Sequence, residues 1–208
     1  MNELDKVGDQ TNGQNYDLVK QMTLLGRGEC GKTSILTRFF KNEFHEVINA
    51  TPVESQEYGF EMRGKRMKLK IWDTSGQEEF SRLRPLTIPI SDYIMICYSV
   101  SDRRSFFEVE NTLVPMIKQK AQDHAKIILV ATKTDTWTEN DTTYEEGFVL
   151  ANNIGAIGFY ESSSLTGEGI NEIFAGLRNV MCENFNQTKP RLFSRIFNCC
   201  SSADRELL

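Results

Sequence analysis

Apolar runs alternate with amphipathic segments along most of the chain. Short apolar runs predict six strands, over Leu18–Leu25 and residues 57–62, 66–72, 93–100, 126–131 and 158–161. Apolar residues at helical spacing predict helices over residues 32–40, 103–120, 144–154 and 169–185. The second and third strands are joined by the short turn Arg63-Gly64-Lys65, which is typical of an antiparallel hairpin. This order predicts a three-layer α/β fold: a six-stranded, mostly parallel sheet with one antiparallel edge strand and flanking helices.

Composition narrows the class of protein. The chain has 208 residues, a net charge of −5 and a pI near 5.2, so a duplex-coating role is disfavoured. No apolar run approaches the ~20 residues that span a bilayer. The polar N-terminus lacks a secretory h-region and a Gly at position 2, so we expect a cytoplasmic chain. Five sparse cysteines without metal-ligand spacing are expected to be reduced thiols.

Residues 26–33, Gly-Arg-Gly-Glu-Cys-Gly-Lys-Thr, fit the phosphate-loop pattern GxxxxGK[ST] between the first strand and the first helix. Glycines let backbone N–H groups approach phosphate oxygens, and the helix N-terminus adds further donors. Lys32 is predicted to reach the β- and γ-phosphates, and the Thr33 hydroxyl to bind Mg²⁺. A tight turn that happens to contain Lys-Thr is the alternative, and the flanking elements favour nucleotide binding. The predicted nucleotide-binding residues of this segment are Gly28, Glu29, Cys30, Gly31, Lys32, Thr33 and Ser34.

A second motif, Thr132-Lys133-Thr134-Asp135, follows the fifth strand and so lies at the carboxyl end of a strand, where open α/β sheets bind ligands. A carboxylate at Asp135 can accept hydrogen bonds from N1–H and the 2-amino group of guanine, and adenine has no such amino group. The motif therefore predicts a preference for GTP over ATP. Taken alone, a solvated Lys/Asp loop is the commoner explanation.

A third motif, Asp73-Thr74-Ser75-Gly76-Gln77, closes the third strand. Asp73 is predicted to hold Mg²⁺ through a water, Gly76 to offer its N–H to the γ-phosphate and Gln77 to orient the attacking water. A turn capped by Asp73, with Gln77 facing solvent, is the alternative. Three such motifs in order, each at the carboxyl end of a strand, favour the catalytic interpretation.

With these motifs, residues 18–185 resemble the Ras superfamily of small GTPases, and most closely its Rho branch. Trp72 before the third motif is similar to the Rac end of that branch. The other Rho-like segments are residues 82–86 (RLRPL), 96–100 (ICYSV), 132–135 (TKTD, with Thr for the usual Asn), 144–147 (YEEG) and 161–166 (ESSSLT). The resemblance implies a P-loop NTPase fold over residues 17–185, between a flexible extension at 1–16 and a flexible tail at 186–208.

The resemblance also implies roles for individual residues. Thr51 matches the switch I threonine that ligands Mg²⁺ and contacts the γ-phosphate. Phe44 matches the aromatic that stacks on guanine, although without the family it would be taken as the buried hydrophobe ending the first helix. The stem of Lys133 would cover the other face of the base. Ser163, Ser164 and Leu165 match the element whose backbone N–H meets the guanine O6, so its turn is expected to matter more than its side chains.

Several positions depart from the family pattern. Only 28 positions separate Asp135 from Ser163, so the helical insert typical of Rho proteins is expected to be missing. Glu29 occupies a phosphate-loop position where a small residue is usual and must turn its carboxylate outward. Ser75 replaces the usual Ala, and Ile48, Ala50 and residues 52–54 depart from the usual switch I. These changes bear on the rate of hydrolysis and on the effectors.

The sequence therefore predicts a small GTPase that slowly hydrolyses GTP and takes part in Rho-like signalling in cytoskeletal organisation or membrane traffic. It is expected to switch effector binding through switch I, about residues 45–57, and switch II, about residues 76–88. Exchange factors, activating proteins and effectors are the expected partners of a monomer that binds no nucleic acid. Two alternatives are a GTP-binding interaction module with little or no hydrolysis and an ATP-using phosphate-loop enzyme.

The tail places Lys189, Arg191 and Arg195 among apolar residues before Cys199 and Cys200, and it has no C-terminal CaaX box. This composition is compatible with palmitoylation of the cysteines at a membrane face and with an unmodified tail, and the sequence does not decide between them.

Overall fold

A computed structural model describes residues 15–46, 53–74 and 84–187. It confirms the predicted fold class. Its six strands form one sheet in the order β2-β3-β1-β4-β5-β6, in which β2 alone runs antiparallel to its neighbour. The strands are β1 Leu18–Leu25, β2 Val53–Met62, β3 Lys65–Thr74, β4 Tyr93–Ser99, β5 Lys126–Thr132 and β6 Gly158–Ser162.

Helices lie between the strands, as the alternating pattern predicts. They are α1 Lys32–Lys41, α2 Arg84–Thr87, α3 Arg103–Glu108, α4 Val114–Lys120, α5 Tyr144–Asn153 and α6 Ile170–Gln187, with 3₁₀ turns at Ile88–Ile90 and Thr134–Thr136. None of the helices in these described ranges is long and apolar enough to cross a membrane.

The predicted helix over residues 103–120 is wrong in one respect. A π-helical turn, Val109–Leu113, separates α3 from α4. Pro115 lies in the first turn of α4. Proline has no N–H to donate and its ring crowds the preceding turn, so a regular α-helix cannot run through this point.

The hairpin is longer than predicted, because β2 begins at Val53 and β3 ends at Thr74. Residues 53–56 are mostly polar, so their pattern does not mark a strand, yet each pairs with a residue of β3. The turn is formed by Arg63 and Gly64 alone, with positive φ angles of 53° and 69°. Two consecutive positive φ values are typical of the type I′ turn, which matches the twist of the strands.

Two apolar clusters cover the two faces of the sheet, as successive side chains of a strand point to opposite sides. On one face, Met22 and Leu24 of β1 pack with α1 and α6. On the other face, Leu25 of β1 and Ile94 and Ile96 of β4 pack with residues of α3, α4, α5 and the π turn. The sheet is thereby fixed between two helical layers, and the loops at the carboxyl ends of β1, β3 and β5 share one edge.

Candidate functional site

The phosphate loop lies between β1 and α1, as predicted. Gly31 has φ 90° and Glu29 has φ 63°, so the chain makes two left-handed steps before α1 begins at Lys32. Glu29 is exposed, which agrees with the expectation that its carboxylate turns outward. Successive N–H groups in such a curved loop form a concave surface that suits an anion.

The Lys32 side chain lies across this loop and is only 5% exposed. Its ammonium donates to the carbonyl oxygens of Gly26 at 3.0 Å and Arg27 at 2.8 Å. A positive charge is thus held on the loop, where phosphate oxygens would be drawn to it. Ser34 follows Thr33 on the first turn of α1.

Buried contacts hold the loop against the sheet. The Cys30 thiol lies 3.3 Å from the carbonyl oxygen of Cys97, and a Cβ on Gly26 would come within 2.3 Å of the same oxygen. The Thr132 hydroxyl lies 2.6 Å from the carbonyl oxygen of Cys30 and 3.0 Å from that of Tyr98. The structure thus places the Thr132 side chain beneath the phosphate loop, tying the end of β5 to it.

Thr33 and Asp73 are brought together from α1 and the end of β3. The Thr33 hydroxyl donates to Oδ2 of Asp73 at 2.6 Å, and Oδ1 has no hydrogen-bond partner among the described residues. Burial raises the pKa of the Asp73 carboxyl, opposed by the Thr33 hydrogen bond and by Lys32 nearby. A buried carboxylate oxygen beside a hydroxyl is a donor set that suits a hard cation such as Mg²⁺.

Asp135 lies in the turn after β5, and its carboxylate accepts a hydrogen bond from the Ser163 hydroxyl at 2.5 Å. The same hydroxyl oxygen accepts from the backbone N–H of Thr166 at 3.1 Å. Ser163 is fully buried, so its side chain orients Asp135 and braces its own loop. The sequence predicts that the turn of this element matters more than its side chains, and the structure adds that the Ser163 side chain joins two loops.

The other residues expected to contact the base are also at this edge. Lys133 has φ 60°, Ser164 is partly exposed and Leu165 is exposed. Phe44 lies beyond the end of α1 at Lys41 and is 37% exposed. The interpretation of Phe44 as a buried hydrophobe ending the helix is therefore wrong.

Arg38 was not predicted as a functional residue. Its guanidinium donates from α1 to the carbonyl oxygens of Leu165 at 2.8 Å and Asn42 at 3.1 Å. It thus links the segment leading to Phe44 with the loop that contains Ser163. A single Arg on a helix gives no sequence signal of such a link.

The remaining predicted residues, Thr51, Gly76 and Gln77, lie outside the described residues, as do residues 47–52 of switch I and 76–83 of switch II. Arg27, within the loop, has its guanidinium 3.7 Å from a carboxylate oxygen of Asp102 and 3.6 Å from one of Glu108. Only seven residues, 137–143, separate the turn after β5 from α5, which leaves no room for the Rho helical insert.

The features at this sheet edge define a phosphate-loop nucleotide-binding protein. They are a strand, a glycine loop around a buried lysine, a Thr–Asp pair and a second carboxylate. The model of the Ras family matches residues 21–183. GTP-binding protein RHO1 of Saccharomyces cerevisiae is 36% identical over 167 residues, which cover 74% of this chain and 79% of that protein.

The chain belongs to the Ras family. It is a Rho-like small GTPase, so it binds guanine nucleotide and has GTPase activity.

Proposed function

We propose that this protein is a molecular switch in which bound GTP orders switch I and switch II and hydrolysis to GDP releases them. The observation that carries this proposal is the single sheet edge that presents both Thr33–Asp73 and Asp135–Ser163 beside the phosphate loop. In this proposal the Thr33–Asp73 pair serves the triphosphate end of the nucleotide and the Asp135–Ser163 pair serves the base. The γ-phosphate would then reach Thr51 and Gly76, whose loops would order around it.

In the proposed reaction, the phosphate loop and Lys32 hold the triphosphate while Gln77 orients the attacking water. When bound, Mg²⁺ would neutralise charge on the phosphates, and Thr33, Thr51 and Asp73 are the residues that would hold it. Lys32 would stabilise charge that develops as the terminal phosphoryl group leaves. Asp135 would accept hydrogen bonds from N1–H and the 2-amino group of guanine, with Phe44 and the stem of Lys133 on its faces. Backbone N–H groups of Ser163, Ser164 and Leu165 would approach the guanine O6.

Hydrolysis by this chain alone is proposed to be slow. Arg27 is the arginine of the phosphate loop, and its guanidinium is engaged by the carboxylates of Asp102 and Glu108, so we do not assign it a role in hydrolysis. An activating protein would then supply an arginine, an addition worth about 10³–10⁵ in rate. Exchange factors and effectors would act on the two switches.

We further propose that the monomer works at the cytoplasmic face of a membrane, held by lipidation of Cys199 and Cys200. Basic and apolar residues precede this cysteine pair, which is the composition of acylated peripheral tails. Hydroxylamine-sensitive labelling that is lost in the Cys199→Ser, Cys200→Ser double variant is the expected result. Equal labelling of the double variant would exclude this attachment.

The reaction is tested by single-turnover hydrolysis of bound GTP. Gln77→Leu is expected to slow hydrolysis at least tenfold while leaving GDP affinity unchanged, because Gln77 acts on the water and not on the base. In parallel, Asp135→Ala is expected to abolish the preference for guanosine over inosine nucleotides. An unchanged GTP half-life in Gln77→Leu would refute the proposed mechanism of hydrolysis.

A further inference from the structure

Three large apolar side chains of α5 are exposed beside its buried stripe. Gly147, Leu150 and Ala151 face the sheet, and this is the buried side of the helix. Tyr144 and Phe148, at helical spacing on one flank of that stripe, are 51% and 48% exposed, and Val149 is also exposed. An amphipathic surface helix normally carries polar residues outside its buried stripe, so the exposed half of each ring is open to a further contact.

Two aromatic rings of this face are arranged as a small platform. Tyr144 and Phe148 are stacked, with ring centroids 6.1 Å apart and planes 14° apart. Tyr144 also contacts Phe159 of β6, at 5.4 Å between centroids. The platform therefore continues from α5 onto the edge strand of the sheet.

Carboxylates border this platform. Burial raises the pKa of Glu161 on β6, and the nearby Glu145 and Glu168 raise it further by repulsion. Glu145 directly follows Tyr144 in α5, and Glu161 lies two residues beyond Phe159 in β6. We call Tyr144, Phe148, Phe159, Glu145, Glu161 and Glu168 the acidic aromatic face.

The charge of this region is unbalanced in the sequence. Residues 134–177 contain eight acidic residues and no Lys or Arg. With these eight removed, 21 acidic residues remain in the rest of the chain against its 24 Lys and Arg, a surplus of three positive charges. The guanidinium of Arg103 is engaged by Glu146 and that of Arg38 by the carbonyl oxygen of Leu165, so both have partners outside the acidic aromatic face.

We propose that the acidic aromatic face is a docking surface for a partner protein segment in which Arg or Lys residues stand among apolar side chains. The carboxylates complement the cations, and the aromatic rings offer both apolar contact and cation–π attraction. None of the six residues of this face has a role in the proposed switching, so the surface adds a binding activity to the proposed function rather than resting on it.

Charge argues against other occupants of this face. Anionic lipid would be repelled by the three carboxylates, and a second copy of the same face would bring like charges together. The chain's own tail has a suitable composition, so the test below treats it as a separate outcome.

The test uses the full-length chain loaded with GDP and two labelled synthetic 14-residue peptides. One peptide combines Arg with Leu and Phe at helical spacing, and the other has Glu in place of each Arg. Amide chemical-shift mapping is expected to place the Arg peptide on α5 and β6, with no binding of the Glu peptide. Affinity for the Arg peptide is expected to fall about tenfold between 50 and 300 mM NaCl, because screening weakens exposed charge pairs.

Phe148→Ser and Glu145→Lys are each expected to weaken binding at least tenfold, with GTP hydrolysis unchanged. Phe107→Ser and Glu110→Lys are the matched controls, since both residues are exposed on another part of the surface, and they are expected to change affinity less than twofold. Absence of binding at 1 mM peptide, or equal loss in the control variants, would overturn the proposal. Tighter peptide binding by the double variant Arg191→Glu, Arg195→Glu would assign the face to the chain's own tail. Sedimentation of the protein with phosphatidylserine vesicles, if it is lost in Phe148→Ser, would assign the face to lipid. Either result would overturn the partner proposal.

Discussion

Ser163 is the residue whose importance depends most on its contacts. Its hydroxyl is buried between Asp135 and the N–H of Thr166, so it holds the proposed base-binding carboxylate in one orientation. Without that hydroxyl, Asp135 would have to be ordered again each time nucleotide bound. Ser163 and Ser164 are adjacent and chemically identical, and only tertiary contacts distinguish them.

Ser163→Ala is accordingly expected to speed GDP dissociation about tenfold, since hydrogen bonds to charged groups contribute about 1.5–3 kcal/mol. Ser164→Ala is the matched control and is expected to leave the rate within twofold. Release of a fluorescent GDP analogue into excess GDP measures both. Equal rates for the two variants would remove the orienting role of Ser163.

Asp73 combines a proposed binding role with a cost to stability. Its pKa is raised by burial, so the folded chain holds the charged carboxylate at a disadvantage when pH exceeds that pKa. Because the folded state binds the proton more tightly than the unfolded state, this destabilisation grows as pH rises through the raised pKa and is relieved as pH falls.

Asp73→Asn is therefore expected to raise the melting temperature of the nucleotide-free chain in EDTA at pH 7, by about 2–4 °C for about 1 kcal/mol. The difference from wild type is expected to shrink as the pH is lowered toward the raised pKa of Asp73. In the same variant, Mg²⁺ should no longer slow nucleotide release. Scanning calorimetry over a pH series measures the first effect, and a lower melting temperature at pH 7 would contradict the burial argument.

At the scale of elements, α5 is positioned by its first turn. The Thr143 hydroxyl accepts from the backbone N–H of Glu146, and the Glu146 carboxylate accepts in return from the N–H of Thr143. Arg103 of α3 also donates to that carboxylate, at 2.6 Å. This capping box therefore fixes both the start of α5 and its attachment to a neighbouring helix.

Thr143→Ala is expected to lower the free energy of unfolding by about 1 kcal/mol, because an N-cap hydrogen bond is lost. Thr37→Ala inside α1 is the control, and there the change is expected to be neutral or slightly stabilising, since Ala favours a helix interior. Urea unfolding followed by circular dichroism compares the two. An equal loss of unfolding free energy in both variants would show that the Thr143 cap does not stabilise α5.

At the scale of the whole molecule, Arg38 joins parts that are far apart in the sequence. Its bond to the carbonyl of Leu165 spans 127 positions and connects α1 with the loop before α6. A second bond holds the carbonyl of Asn42, two residues before Phe44. The two sides of the proposed base site are thereby coupled through one guanidinium.

Arg38→Ala is expected to speed GDP release about fivefold, because a charge-assisted bond that braces both base-contacting segments is lost. Arg38→Lys should restore slow GDP release only in part. Lysine keeps the positive charge, but it has no planar fork with which to reach two carbonyl oxygens. Lys41→Ala, an exposed cation on the same helix, is the control and should leave release unchanged. Equal rates of GDP release for Arg38→Ala and Lys41→Ala would show that Arg38 does not brace the base-contacting segments.

The sequence determined the parts of this protein that depend on neighbouring residues. Apolar spacing predicted the bounds of β1 and the start of α1, and the phosphate-loop spacing predicted Lys32 and Thr33 at the strand-to-helix turn. These features are local, because a strand period, a glycine turn and a helix N-terminus are each encoded within a few residues.

Tertiary structure alone decided the features that join distant segments. The polar start of β2 became a strand because β3 offered it backbone partners, and Thr132 turned beneath the phosphate loop because Cys30 and Tyr98 presented carbonyl oxygens there. The bracing of Asp135 by Ser163 has the same origin. A hydroxyl or a guanidinium has no preferred partner in the linear chain, and only the packed sheet and its loops brought one within hydrogen-bonding distance.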